Sequence, residues 1–222
     1  MLFGMSQRLS ENLQAIGSRV GSARNILLFL DFDGTLVPIV PDPEKACLPR
    51  ETRLVLEELT RRKRLRMVVI SGRSLADLSA RVDLPDIVLA GNHGLEIRGE
   101  SVHFLEPTAD RMRPKLAAQA EVFNRSLRHI SGVQVENKGL TLSIHYRRVP
   151  ADLQRRVVES VRDTVRGDDR YRLTEGKKVL EVRPYVDWHK GKAVHWIQSQ
   201  MACPALPIYI GDDSTDEDAF YA

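Results

Sequence analysis

The stretch ILLFLDFDGTL, residues 26–36, joins an unbroken apolar run, Ile26 to Leu30, to a polar turn that carries Asp31 and Asp33. A second stretch has the same grammar: PIYIGDDSTDED, residues 207–218, sets Asp212, Asp213, Asp216, Glu217 and Asp218 behind the run Ile208 to Ile210. Apolar runs of this length bounded by turn residues mark parallel strands buried on both faces, and such sheets bind ligands beyond the carboxyl ends of their strands. Both acidic clusters are therefore expected to line one crevice. Carboxylates crowded this closely repel and raise one another's pKa unless a cation compensates. A hard divalent ion such as magnesium, held by one or two carboxylates plus a substrate phosphate, is the simplest compensation and points to phosphoryl chemistry.

Outward from these runs, residues 6–20 read as an amphipathic helix, 50–62 as a second helix and 65–70 as a strand. DIVLAGNHG then supplies a third buried strand ending in a polar loop. Alternating strands and helices predict a doubly wound parallel sheet. The pattern changes between about 107 and 185. A long helix, Asp110 to Ile130, leads into the alternating runs VQVENKG and LTLSIHYRR; a helix from Asp152 to Val165 leads into RYRLTEGKK and VLEVRP. That order, α-β-β-α-β-β, predicts an antiparallel sheet with two helices. The fold class is thus α/β: a Rossmann-like core with a parallel sheet, residues 1–107 and 185–222, plus an inserted α+β cap domain, residues 108–184.

The 33 Lys and Arg residues against 30 Asp and Glu leave a net charge of only +3, which argues against non-specific nucleic-acid binding. The basic run Arg61 to Arg66 is read as a helix C-terminus, where cations complement the dipole. Cys47 and Cys203 lack zinc-ligand spacing and fit a reducing, cytoplasmic setting. No run approaches the ~20 apolar residues of a membrane span, so no membrane partner is expected.

A phosphate ester can be hydrolysed through an aspartyl-phosphate, which needs a carboxylate nucleophile, a proton donor for the leaving alcohol and cations around the transferring group. Asp31 and Asp33 have the spacing to project toward one phosphate, with Asp31 as nucleophile and Asp33 as acid and base. Gly34 and Thr35 suit a turn that presents backbone N–H groups to phosphate oxygens. Ser71 would bond a phosphate oxygen, Lys192 would offset charge, and Asp212 would complete a magnesium shell with Asp31 and the Asp33 carbonyl.

DFDGTL, SGR, the lysine of KGKA and GDDSTDED, in this order, resemble the four motifs of the haloacid-dehalogenase superfamily of phosphatases. Within its capped sugar-phosphatase branch, GNHGLEIRG, KGLTLSIHYR, GKKVLEVRP and GDDSTDEDAF resemble the trehalose-6-phosphate phosphatase family over nearly the whole chain from Ile26 onward. The resemblance implies magnesium-dependent hydrolysis of a trehalose phosphate, with Ser71, Gly72 and Lys192 at the phosphate and Asp213 and Asp216 as supporting carboxylates. It places Arg73, His93, Glu96, Lys178, Glu181 and Arg183 at the sugar, and it makes a trehalose-6-phosphate synthase an expected partner. The rival readings are a phosphatase for sucrose phosphate or mannosyl phosphoglycerate, and a non-catalytic sugar-phosphate sensor. The superfamily core normally continues past its last acidic motif, whereas this chain stops at Ala222, so a truncated core is expected.

Overall fold

The molecule, a computed structural model, is described over residues 8–40 and 42–222. In chain order its elements are α1 (Leu9–Ser22), β1 (Ile26–Asp31), α2 (Arg50–Thr60), β2 (Leu65–Ile70), α3 (Leu75–Val82), β3 (Ile87–Gly91), β4 (Glu96–Arg98) and β5 (His103–Leu105). There follow α4 (Pro107–Leu127), β6 (Gln134–Asn137), β7 (Leu142–His145), α5 (Ala151–Val165), β8 (Tyr171–Gly176), β9 (Val179–Pro184), α6 (Lys190–Ser199), β10 (Leu206–Ile210) and α7 (Glu217–Phe220). The first two residues of the expected N-terminal helix lie outside the described residues.

Six strands form one sheet in the order β10-β1-β2-β3-β4-β5. Its first four strands are parallel, while β4 and β5 add an antiparallel edge, so the sheet is mostly parallel. The apolar runs are continuous because both faces are covered. Leu27, Phe29, Val68 and Ile70 pack against Ala193, Val194 and Ile197 of α6 on one side. Leu30, Met67, Val69 and Leu89 pack against Leu56, Leu78 and Val82 of α2 and α3 on the other. Phe29 is fully buried, and its truncation to alanine should cost about 3–5 kcal/mol. Asp31 stands opposite Ile70 in the β1–β2 register, so Asp31 and Ser71 emerge together at the carboxyl edge of the sheet.

The second sheet, β6-β7-β9-β8, is antiparallel throughout. Alternation decides its two faces. Leu142, Ile144, Leu180 and Val182 point to α4 and α5, where they meet Leu116, Phe123, Val157 and Val161. Ser143 and Glu181 are paired across the opposite face, which is turned toward the carboxyl edge of the larger sheet. Direct contacts close the gap: Arg148 pairs with Asp42 at 2.6 Å, Gln134 donates to Glu44 at 3.2 Å, and Lys177 approaches Asp212 at 3.6 Å. No helix among the described residues is long and apolar enough to cross a membrane.

Candidate active site

A cavity of about 270 Å³ lies between the two sheets. Its floor begins with Asp31, the last residue of β1 and only 5% exposed. The cation that compensates it is Lys190, whose Nζ donates to Oδ1 of Asp31 and Oδ1 of Asp216, both at 2.6 Å. This corrects the expectation for Lys192, which turns outward and pairs with Asp187. Helix geometry explains the choice: Lys190, Ala193, Val194 and Ile197 share the buried face of α6, and Lys192 lies off it. Burial raises the Asp31 pKa to about 7, against the opposing pull of Lys190. Burial also opposes the charge of Lys190, but Asp31 and Asp216 hold its pKa above the ordinary lysine value.

Asp216 is completely buried beneath this floor. Its Oδ1 also accepts from the Tyr209 hydroxyl at 2.6 Å, and its Oδ2 accepts from the Asp213 amide at 3.0 Å. Asp213 in turn caps the following turn by accepting from the Ser214 amide at 2.7 Å. Both therefore support the acidic loop from behind. Asp31, Asp212 and Asp216 each bring a carboxylate oxygen within 4.8 Å of the other two. Asp212 lies so close over Gly34 that a Cβ there would collide with its carboxylate, and Gly34 has φ +102. Asp216 already accepts three hydrogen bonds, and Asp31 and Asp212 form an all-oxygen donor set that fits a hard divalent cation.

Asp33 is held by Arg73, which donates through Nε at 2.8 Å and Nη2 at 2.7 Å. Arg73 thus turns toward a carboxylate of the floor. Ser71 is buried and accepts from the Arg73 amide at 3.2 Å. Gly34 departs from expectation: its N–H donates to the Val37 carbonyl at 2.8 Å and is not presented to a ligand. The Thr35 hydroxyl is buried with no hydrogen-bond partner, an orphan polar atom beside the floor.

The roof comes from the smaller sheet. Glu181 accepts from His93 Nε2 at 2.8 Å and from Lys138 Nζ at 3.1 Å, and Lys138 also donates to the Gly72 carbonyl at 2.8 Å. Burial alone would raise the Glu181 pKa, but His93, Lys138 and Arg183 hold it well below the usual carboxylate range. Burial lowers the His93 pKa to about 4, against the pull of Glu181, so its ring is neutral at pH 7. The carboxylate can only accept, which places the ring proton on Nε2. Asn92 and His93 have φ 49 and 58, a left-handed pair that L side chains adopt at a cost of about 1–3 kcal/mol each. Further hydrogen bonds pin them: Asn92 N to Arg73 O, Asn92 Nδ2 to Lys138 O, His93 N to Ser71 O, and Thr141 Oγ1 to Asn92 Oδ1.

Lys178 lines the cavity, but its Nζ donates to Gln154 on α5 at 2.7 Å. Glu96 on β4 and Arg183 on β9 do not line the cavity. Three site residues were missed in the sequence: Lys190, Lys138 and Asn92. The face pattern of α6 could have found the first, whereas Lys138 and Asn92 are recognised only once the two sheets meet.

A mostly parallel sheet carries paired aspartates at the end of its first strand and is roofed by an antiparallel sheet. This fold matches that of a haloacid dehalogenase-like hydrolase from Bacteroides thetaiotaomicron with a TM-score of 0.58 over 88% of this chain and 84% of that one, at 16% identity, a likeness of fold alone. The chain belongs to the trehalose-phosphatase family, whose sequence pattern matches residues 29–222. The trehalose-phosphate phosphatase of Mycobacterium tuberculosis is 40% identical over 97% of this chain and 56% of its own length. Trehalose-phosphate phosphatase B of Arabidopsis thaliana is 33% identical over 89% of this chain and 56% of its own. The chain therefore spans about half the length of these curated relatives. The C-terminal domain of Candida albicans trehalose-6-phosphate phosphatase superposes with a TM-score of 0.78 at 26% identity, over 95% of this chain and 77% of that one.

Proposed function

We propose that this protein is a magnesium-dependent phosphatase that hydrolyses trehalose 6-phosphate to trehalose and phosphate through an aspartyl-phosphate on Asp31. One observation carries the reading: a single cavity has Asp31, Asp33, Ser71 and Lys190 on its floor and Lys138 and Glu181 on its roof. In this reading residues 108–184 are a cap. Asp31 attacks phosphorus as the bond to the sugar oxygen breaks, and Asp33 gives that oxygen a proton. Lys190 offsets the charge gathered at Asp31, and the Ser71 hydroxyl bonds a phosphate oxygen. Asp33 then takes a proton from the water that attacks the aspartyl-phosphate, which frees phosphate and restores Asp31. Magnesium held by Asp31 and Asp212 supplies positive charge to the phosphoryl oxygens.

The roof suits a disaccharide, because Glu181, neutral His93 and Lys138 gather acceptors and donors that a polyhydroxylated ligand can share and a smaller sugar would not reach. The names of the relatives at 33–40% identity support the same substrate. The test is phosphate release from trehalose 6-phosphate, sucrose 6-phosphate, glucose 6-phosphate and p-nitrophenyl phosphate, with magnesium or EDTA. Selective turnover of trehalose 6-phosphate that needs magnesium and vanishes in Asp31→Asn is expected. Preference for another ester would remove the substrate assignment, and activity in Asp31→Asn would remove the mechanism.

A further inference from the structure

Arg73 has no assigned part in the reaction, and the sequence reading gives it a contact to sugar. Its guanidinium is instead fixed on every side. Nε and Nη2 hold the two oxygens of Asp33, Nη1 donates to Asp77 Oδ2 at 2.8 Å, and Nη2 also donates to the Pro43 carbonyl at 3.1 Å. The group lies 5.4 Å from the centre of the Phe32 ring, and its side chain is only 11% exposed. Asp77 is itself fixed, since Arg81 Nε donates to both its oxygens at 2.8 Å. Arg81 is tied in turn to the carbonyls of Glu44 and Ala46.

A fork held at this many points cannot follow Asp33; Asp33 must follow the fork. The two parallel hydrogen bonds fix both the torsion and the plane of the carboxylate, which a lysine ammonium in the same place would not do. We propose that Arg73 is a positioning residue for the second half of the reaction: it aims the Asp33 carboxylate at the water that attacks the aspartyl-phosphate. In that step the water oxygen bonds to phosphorus, the bond from phosphorus to the Asp31 oxygen breaks, Asp31 leaves as a carboxylate, and the water proton passes to Asp33. The proposal rests on the phosphatase reading above.

Rapid mixing with p-nitrophenyl phosphate and magnesium tests it, because nitrophenolate leaves without needing a proton and its appearance reports the first half alone. Arg73→Lys is expected to release about one nitrophenolate per site in a fast burst and then to turn over about 100-fold more slowly than wild type, the scale of a mispositioned general base. Asp77→Asn, which leaves the fork on Asp33 but loosens its anchor, should show the same burst with a smaller slowing, and it guards against a misfolded Arg73 variant. Slow turnover without a burst in both variants would overturn the proposal, because a structural or phosphate-binding role slows the first half as well. A raised KM with unchanged kcat would also overturn it and restore the sugar contact. A wild type that turns over neither this ester nor trehalose 6-phosphate would sink the phosphatase reading itself, a result distinct from either.

Discussion

Two lysines face the cavity from opposite sides, Lys190 buried and Lys138 partly buried, and they are held in different ways. Lys190 is 2% exposed, and both its carboxylate partners, Asp31 and Asp216, belong to the larger unit that carries it. Lys138 belongs to the smaller unit, and it bonds Glu181 of that unit together with the Gly72 carbonyl of the other. The floor is therefore complete within one folded unit, whereas the roof is finished only when the two units meet. Electrostatic preorganisation of a reacting carboxylate favours the first arrangement. Recognition that must open to admit a sugar and close to exclude water favours the second.

The largest expected effect breaks the floor. Lys190→Met leaves Asp31 and Asp216 buried without their shared cation, which should cost about 3–5 kcal/mol of stability and abolish phosphate release. Lys192→Ala should leave both unchanged. Urea unfolding and a phosphate assay on the two variants decide between the lysines. A smaller effect should follow at the seam. Asn92→Ala removes the buried acceptor of the Thr141 hydroxyl, a loss of about 1–3 kcal/mol, with faster amide exchange at residues 138–142.

Acid sharpens the same contrast. The His93 pKa is about 4 in the folded protein against 6.5 when exposed, so between those values the unfolded chain binds a proton that the folded chain refuses. The stability this group contributes is complete above pH 6.5 and declines as pH falls toward 4, with a slope on the order of 1 kcal/mol per pH unit. Glu181, whose pKa is depressed, adds a loss of the same sign at lower pH. Melting temperatures from pH 7 to pH 4.5 should fall, and His93→Gln should flatten the decline. The smallest effect belongs to the exposed Arg148–Asp42 pair: Arg148→Ala should not measurably shift the unfolding midpoint, because exposed ion pairs contribute little.

Most of the fold was legible because it rests on local pattern. The run Ile26–Leu30 and the run Met67–Ile70 that ends β2 are apolar enough to declare buried strands, and Leu142–His145 alternates apolar and polar residues as a strand does. Strands β4 and β5 were not legible, since three residues each cannot establish a period and their pairing depends on the edge of β3. Asp31, Asp33 and Ser71 could be read from their places at strand ends. Lys190 was readable in principle, because Ala193, Val194 and Ile197 mark the buried face of α6, but the choice between two lysines of KGKA needed that face to be drawn. The seam was not readable. Glu181 lies 88 residues from His93, and Lys138 lies 66 from Gly72, separations that only the docking of two sheets can bring together.

The division between a prebuilt floor and an assembled roof is tested most directly by Glu181→Gln, which keeps the side-chain shape and removes the charge that gathers His93 and Lys138. The measurement is kcat/KM for trehalose 6-phosphate and for p-nitrophenyl phosphate, with magnesium, in this variant and in wild type. The account predicts a loss of about 100-fold or more on trehalose 6-phosphate and nearly unchanged p-nitrophenyl phosphate hydrolysis, since unpaired polar groups penalise the sugar alone. An equal loss on both esters would contradict it, by showing that Glu181 serves the phosphate chemistry and that the floor is not complete without the roof.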